Sequence, residues 1–341
     1  MNSPSSFNVV STFSGCGGSS LGYQLAGGKV LLAIEWDDNA VATYRLNFPD
    51  TPIYHEDIAK LSVEKCCELA GIGPGELDIL DGSPPCQGFS TAGKREFGDD
   101  RNQLFREFIR LLRGLRPKVF VMENVSGMVK GKMKLIFIEC LRELKASGYR
   151  VKVRLLNAMY YNVPQSRQRL IFVGVREDID AEPGHPKAQG RPMTARKALE
   201  GVVVETDQRT MLLEAGRKYV AYQEWPRMKP GTNRQALGFL SGFNCYKWHP
   251  NRPAQTVRKN DGHLTMHGAM HWAEQRRFTL NEFKRFASFP DRYQFVGGWG
   301  PAVQRIGNSV PPNFMRAIAE YIRDNILSAC SSPADLAPKG G

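Results

Sequence analysis

The residue most suited to chemistry is Cys86, in the run Asp81-Gly82-Ser83-Pro84-Pro85-Cys86-Gln87-Gly88-Phe89-Ser90. The apolar segment Leu77 to Leu80 leads into it, so a strand opens onto a loop near the thiol. Proline fixes φ and forces the preceding residue extended. Pro84-Pro85 therefore stiffens the exit and holds the thiol at a defined height above a sheet edge. A free cysteine usually behaves as a small core hydrophobe. The flanking glycines and prolines argue against a packed position and for a nucleophile.

Five other clusters could cooperate with it. Phe13-Ser14-Gly15-Cys16-Gly17-Gly18 follows the apolar Val9-Val10 and precedes a helix start at Ser19-Ser20-Leu21. A glycine-rich turn between strand and helix lets a ligand approach the backbone at the helix N-terminus. Next, Glu35-Trp36 closes the apolar run Val30 to Ile34. An acidic residue about 20 residues beyond the glycines is where nucleotide-type folds grip ribose hydroxyls. The tryptophan could stack on a purine, and Asp57, after Ile53 to His55, could accept from an exocyclic amine. Third, the strand Val119 to Met122 ends in Glu123-Asn124-Val125. A carboxylate there is costly to leave unpaired, so Glu123 either pairs with a local arginine or serves as an acid close to Cys86. Fourth, Gln165-Ser166-Arg167-Gln168-Arg169 sets two arginines at i and i+2, on one face of a strand. Finally, Ile306-Gly307-Asn308-Ser309-Val310-Pro311-Pro312 reads as a turn opening the last helix, Asn313 to Leu327.

Taken in this order, from about residue 7 to residue 327, the clusters resemble the DNA cytosine-5 methyltransferase family, of the bacterial restriction–modification type. The resemblance implies S-adenosyl-L-methionine as methyl donor. Phe13 and Trp36 would flank its adenine, Glu35 would bind ribose and Asp57 the adenine amine. Gly15, Gly17 and Gly18 would admit the methionine part, with Pro85, Leu104 and Asn308 completing the pocket. It implies Cys86 adding to carbon 6 of cytosine, Glu123 as general acid toward ring nitrogen 3, and Arg167 holding the base oxygen. Arg169 would hold Glu123 or the loop, and Asn124 the loop near Pro84. A base inside a duplex is out of reach, so the target must be flipped out. The loop Gln87 to Arg101, with Ser90, Lys94, Arg95 and three glycines, has the composition of a lid that closes on DNA.

The elements that must position these groups are legible as an alternation. Strands are expected at Asn8–Phe13, Lys29–Trp36, Ile53–His55, Leu77–Leu80, Lys118–Val125, Val151–Leu156 and Leu170–Arg176. Helices are expected at Asp38–Asn47, Val63–Ala70, Asn102–Leu115 and Met133–Ser147. This is an α/β fold with a doubly wound, mostly parallel, Rossmann-like sheet, whose ligands bind beyond the strands' carboxyl ends. After Arg176 the pattern breaks at a Pro/Gly-rich linker, and residues 193 to 275 read as irregular. The helix Thr279–Ala287 returns the chain to the first unit. The expected organisation is a discontinuous catalytic domain, 1–190 and 276–328, a target-recognition domain, 191–275, and a flexible tail, 329–341.

Composition bounds the partners. The net charge is +12, and between Thr206 and Arg285 there are 14 Lys+Arg against 6 Asp+Glu, with four of the six histidines. This basic block is interleaved with aromatics, among them Tyr219, Trp225, Tyr246, Trp248 and Trp272, the footprint of a nucleic-acid face. Arg234, Lys247, Arg252 and Arg258 are its candidate contacts with double-stranded DNA. No apolar run approaches the roughly 18 residues of a membrane span. Seven cysteines in no regular framework fit a reducing cytosol. His263, His267 and His271 are spaced i, i+4, i+8, but Gly262, Gly268 and Asp261 oppose a helix there, so no metal is expected. A monomer is expected, with any cognate restriction endonuclease acting separately. The alternatives are a transfer-RNA cytosine-5 methyltransferase on the same scaffold and a non-catalytic DNA-binding regulator. The large basic block and Gly88-Phe89-Ser90 disfavour the first, and the intact Cys86, Glu123 and Arg167 the second.

Overall fold

The computed structural model describes residues 6–85, 103–129, 131–219, 222–239, 245–264 and 268–331. Its framework is a seven-stranded sheet. The strands are β1 (Phe7–Thr12), β2 (Gly28–Ile34), β3 (Ile53–Tyr54), β4 (Ile79–Gly82), β5 (Val119–Val125), β6 (Tyr149–Asn157) and, after a two-residue strand β7 (Gln165–Ser166), β8 (Gln168–Arg176). The spatial order is β3-β2-β1-β4-β5-β8-β6. The first five run parallel, whereas β8 lies antiparallel to both β5 and β6. The sheet is therefore mostly parallel, as expected, with an antiparallel hairpin at one edge.

Both faces are covered, which is why β5 reads as an unbroken apolar run. Helix α1 (Gly18–Leu25) and α10 (Pro312–Asn325) pack on one face, with Tyr23, Phe314 and Ile318 against Val9, Ile79 and Val121. Helices α3 (Val63–Ala70), α4 (Gln103–Leu115) and α5 (Lys134–Ala146) cover the other, with Cys66, Phe108 and Leu144 against Leu80, Phe120 and Phe172. Local signals start these helices: Asp37 caps α2 (Asp38–Asn47) through Ala40 N, and Ser62 caps α3 through Lys65 N.

Strands β2 and β3 lie to one side of β1, and β4 and β5 to the other. The chain thus reverses winding between β1 and β4, and a crevice opens beyond their carboxyl ends.

Residues 191–275 are more ordered than their composition implies. They hold a short helix α6 (Ala195–Ala198), a 13-residue helix α7 (Thr206–Lys218) and a small sheet of β9 (Thr232–Asn233), β10 (Cys245–Lys247) and β12 (Gly268–Met270). Strand β11 (Ala254–Gln255) pairs with β7 of the first unit. The expectation of an irregular segment failed at α7 because that helix buries only Leu212, Ala215 and Gly216, too narrow a stripe to show as periodicity. Apolar residues of this region, Trp248, Ala254 and Val257, join one cluster with Cys16, Ala33 and Tyr44.

The reading of Ile306–Pro312 as a turn also needs correction. Helix α8 (Leu280–Phe286) is followed by α9 (Trp299–Asn308), so Gly307 and Asn308 are helical and only Ser309 to Pro311 turn. Gly307 is required by space: a Cβ there would lie 2.3 Å from the Arg258 carbonyl carbon. A 3-10 turn, Leu327–Ser331, extends past the point where the tail was expected to begin, and 332–341 lie outside the described residues.

Candidate active site

The crevice is a cavity of about 700 Å³, within the ordinary range of ligand pockets. Three strand ends supply its wall on one side. Phe13, immediately after β1, takes φ +54°, a conformation costly for an aromatic residue and typical of ligand sites. Glu35, after β2, joins its own loop to the turn after β1. Its Oε2 accepts from Gly15 N (2.8 Å), and its Oε1 from Trp36 N (2.9 Å) and Asp37 N (3.0 Å). Trp36 is 76% exposed, an open aromatic platform on the cavity wall. Asp57, after β3, uses Oδ1 to cap a 3-10 turn through Ala59 N (3.0 Å). Leu104, Pro85 and Asn308 line the same cavity.

The three glycines divide. Gly15 (φ +55°) has open space where a Cβ would stand and lines the cavity. Gly18 also lines it, held against the Val310 carbonyl. Gly17 does not: at φ +90° its missing Cβ would strike the Phe48 ring at 2.3 Å. Its expected role in admitting a ligand is therefore corrected to one of packing beneath the turn, where Tyr293 also donates to the Cys16 carbonyl.

The opposite wall comes from β5 and the β7–β8 junction. Glu123, Asn124, Arg167 and Arg169 all line the cavity. Arg169 Nε lies 2.5 Å from Glu123 Oε1, so the carboxylate has the arginine partner that its burial requires. Asn124 Nδ2 donates to the Pro84 carbonyl (3.3 Å), fixing the exit of β4. Arg167 is 2% exposed and donates to the carbonyls of Val257 (2.9 Å) and Gly307 (3.0 Å). Burial, helped by the neighbouring Arg169 charge, pulls its pKa down to about 9. Its Nε is buried without a hydrogen-bond partner. Arg167 thereby also ties β8, β11's exit and α9 together.

Cys86 and the lid residues Gln87, Ser90, Lys94, Arg95 and Arg101 lie outside the described residues, as does His267. Among the basic-block candidates, Arg252 and Arg258 are exposed, and Arg234 stacks over Phe239 at 4.4 Å. Lys247 is corrected. It is 6% exposed, its Nζ sits 3.6 Å from the Trp225 ring centroid, and it donates to the Trp225 carbonyl. Its charge is spent on packing β10, not presented to solvent. His271 is buried against Trp272, and burial followed by the Arg276 charge lowers its pKa to about 4.

Two cationic wall residues escaped the sequence reading. Lys259 reaches the cavity from the recognition region, and Arg305 from α9, where it pairs with Asp37 (3.0 Å). Nothing in their local sequence marks them; the close crossing of the Arg258 segment over Gly307 brings Lys259 there.

The parallel sheet, its switch-point crevice and the aromatic and acidic strand ends define the S-adenosylmethionine-dependent methyltransferase class of fold. The chain belongs to the C-5 cytosine-specific DNA methylase family, whose model matches residues 7–324. Its activity is that of a DNA cytosine-5 methyltransferase. It is similar to the type II methyltransferase M1.HphI of Haemophilus parahaemolyticus, at 33% identity over 93% of this chain and 87% of that protein. It is also similar to M.DdeI of Desulfomicrobium norvegicum, at 32% over 92% and 88%. A solved E. coli prophage protein described as a DNA modification methyltransferase superposes with a TM-score of 0.73 at 25% identity, covering 94% of this chain and 99% of that one.

Proposed function

We propose that this chain methylates carbon 5 of a cytosine flipped out of a short, specific duplex sequence, through a covalent adduct of Cys86 at carbon 6. The observation that carries this reading is a single cavity lined both by Phe13, Glu35, Trp36 and Asp57 and by Glu123, Arg167 and Arg169, with Pro84-Pro85 entering it. The first group suits an adenosine: an open aromatic platform, two carboxylates and a glycine leaving space at Gly15. S-adenosylmethionine bound there supplies an electrophilic methyl group. The second group suits a pyrimidine. Cys86, as thiolate, adds to carbon 6 and breaks the ring's conjugation, which makes carbon 5 nucleophilic. Glu123 acts as general acid toward ring nitrogen 3, and Arg167 holds the base oxygen. Once the methyl is transferred, a base or water removes the carbon-5 proton and Cys86 leaves.

Residues 191–275 are assigned as the target-recognition region and 1–190 with 276–328 as the catalytic unit. Gln87, Ser90, Lys94, Arg95 and Arg101 are assigned to DNA contact. A cytoplasmic monomer, bacterial or phage-encoded, with any cognate endonuclease acting separately, completes the reading. Among the described residues no helix is long and apolar enough to cross a membrane.

The deciding experiment is methyl transfer from labelled donor to duplex DNA, with bisulfite sequencing of DNA from cells expressing the chain. Methylation of RNA but not DNA would overturn the proposal. Trp36→Ala should weaken donor binding by about 1–3 kcal/mol, the value of a base–aromatic stack. Glu35→Ala should weaken it as well, because three backbone N–H groups of the turn lose their acceptor. Calorimetric titration reads both, and unchanged affinities would place the adenosine elsewhere. Exchanging residues 193–275 for those of a relative should move the methylated sequence without changing the chemistry. Within that region, losing a phosphate contact such as Arg252 or Arg258 should lower the salt slope of binding by about 0.9. A chimera that keeps its original target would locate recognition outside this region.

A further inference from the structure

A second carboxyl lies beneath the crevice. Asp81, on β4 just before the Gly82–Pro85 exit, is 2% exposed. Its Oδ2 accepts from Ser11 Oγ on β1 (3.0 Å) and its Oδ1 from Tyr23 OH on α1 (3.1 Å). Ser19, one turn before Tyr23 in α1, is a further hydroxyl near it and at the same time lines the cavity. Tyr44 of α2 and Glu123 of β5 are the other ionisable groups facing it. Among the described residues no lysine, arginine or histidine lies within ion-pairing distance of Asp81. Burial, with the Glu123 charge adding to it and the hydroxyl donors opposing it, pushes its pKa up to about 7.

The remaining cavity charges sharpen the point. The wall carries Arg167, Arg169, Lys259 and Arg305, and the positive end of the α1 dipole opens onto it. Its carboxylates are engaged: Glu35 by three backbone N–H groups, Asp57 by its cap, Asp37 by Arg305, Glu56 by Lys60 and Glu123 by Arg169. A ligand bearing a sulfonium cation therefore enters a site whose wall carboxylates already hold hydrogen-bond or ion-pair partners. Asp81 is the buried carboxyl left with hydroxyls alone.

We propose that Asp81 is the counter-charge for the cationic sulfur of the methyl donor, acting through the Ser19 turn, and that it makes the pocket favour the donor over its neutral-sulfur product, S-adenosylhomocysteine. This rests on the reading that the cavity takes S-adenosylmethionine. Asp81 is a positioning residue, since it meets the ligand across Ser19. The two ligands differ only in the methyl group on sulfur and the charge that it brings, and the charge is what Asp81 distinguishes.

The sign follows from linkage. A bound cation favours ionised Asp81, so donor binding releases a proton at pH values near 7, and affinity rises as pH rises toward and past that value. If binding lowers the pKa by about one unit, about 0.4 proton is released at pH 7, and donor affinity is about fourfold higher at pH 7.5 than at pH 6. Calorimetry of the full chain with S-adenosylmethionine, in two buffers of different ionisation enthalpy, counts these protons. S-adenosylhomocysteine should release about none from this source. Asp81→Asn, which keeps shape and hydrogen-bonding capacity, should remove the release, weaken the donor about fivefold to tenfold at pH 7.5 and leave the product's affinity unchanged. The donor's own ammonium titrates alike in both proteins, so their difference isolates Asp81. Glu123→Gln should keep the release, identifying the proton's source.

Equal proton release with the two ligands, or release surviving in Asp81→Asn, would overturn the role of Asp81. If Asp81→Asn bound neither ligand, the wild-type comparison and Glu123→Gln would still decide it. Binding of neither ligand by the wild type would instead overturn the cofactor reading itself.

Discussion

Cys86→Ser should lower methyl transfer by at least about a thousandfold while leaving DNA and cofactor affinity nearly unchanged. Serine keeps the size and a weak donor but not the nucleophile: its hydroxyl is far less ionised than a thiol near neutral pH. The proposed binding residues Trp36, Glu35 and Arg167 are unchanged by the substitution. Duplex DNA carrying 5-fluorocytosine should trap the wild type covalently, because fluorine cannot leave carbon 5 as a proton does. The trapped complex should survive denaturing electrophoresis, and the serine variant should give none. Full transfer by Cys86→Ser, or trapping through another residue, would remove Cys86 from the mechanism.

The second large effect concerns stability at the junction where the chain leaves the recognition region. Arg276 and Glu282 are each about 2% exposed and form a bidentate pair at 2.7 and 3.0 Å. Glu282 also accepts from Thr279 N (2.6 Å) in the capping box of α8, and Arg276 Nε donates to Glu274 (2.7 Å). Glu282→Ala should cost about 3–5 kcal/mol, because it removes the bidentate partner of a buried guanidinium and leaves the Thr279 N–H without its acceptor. Denaturant unfolding reads the loss. The double variant Arg276→Met with Glu282→Leu should recover much of it, since an apolar pair of similar volume leaves no uncompensated charge. A loss under 1 kcal/mol for Glu282→Ala would mean that water or relaxation reaches the junction. The same pair bears on function, since the junction sets how the segment ending at Arg277 hangs on α8.

Much of the sheet and most of the cavity wall were legible in the sequence. Buried parallel strands must be apolar throughout, so their ends show as abrupt changes to polar residues. Glu35, Asp57 and Glu123 each stand at such a change. The antiparallel hairpin of β6 and β8 was expected as strands, but its direction was not, because strand direction leaves no mark on composition.

What tertiary structure alone decided involves contacts between residues far apart in the chain. Asp81 was read as beyond its strand because the apolar run stops at Leu80. Pairing with Ser11 on one side and Val121 on the other carries β4 on to Gly82 and buries the carboxyl beneath Ser19. Gly300, Pro301 and Gly307 argue against a helix, yet α9 forms there. Pro301 falls in its first turn, where a missing N–H costs nothing, and Gly307 admits the crossing backbone of Arg258. Lys247 carries the charge of a DNA contact, and only the position of Trp225 above it turns that charge into packing. Residue type thus determined which groups could act and roughly where strands end. Which charges remain free to act was decided by burial and partnering, and those arise only when distant segments meet.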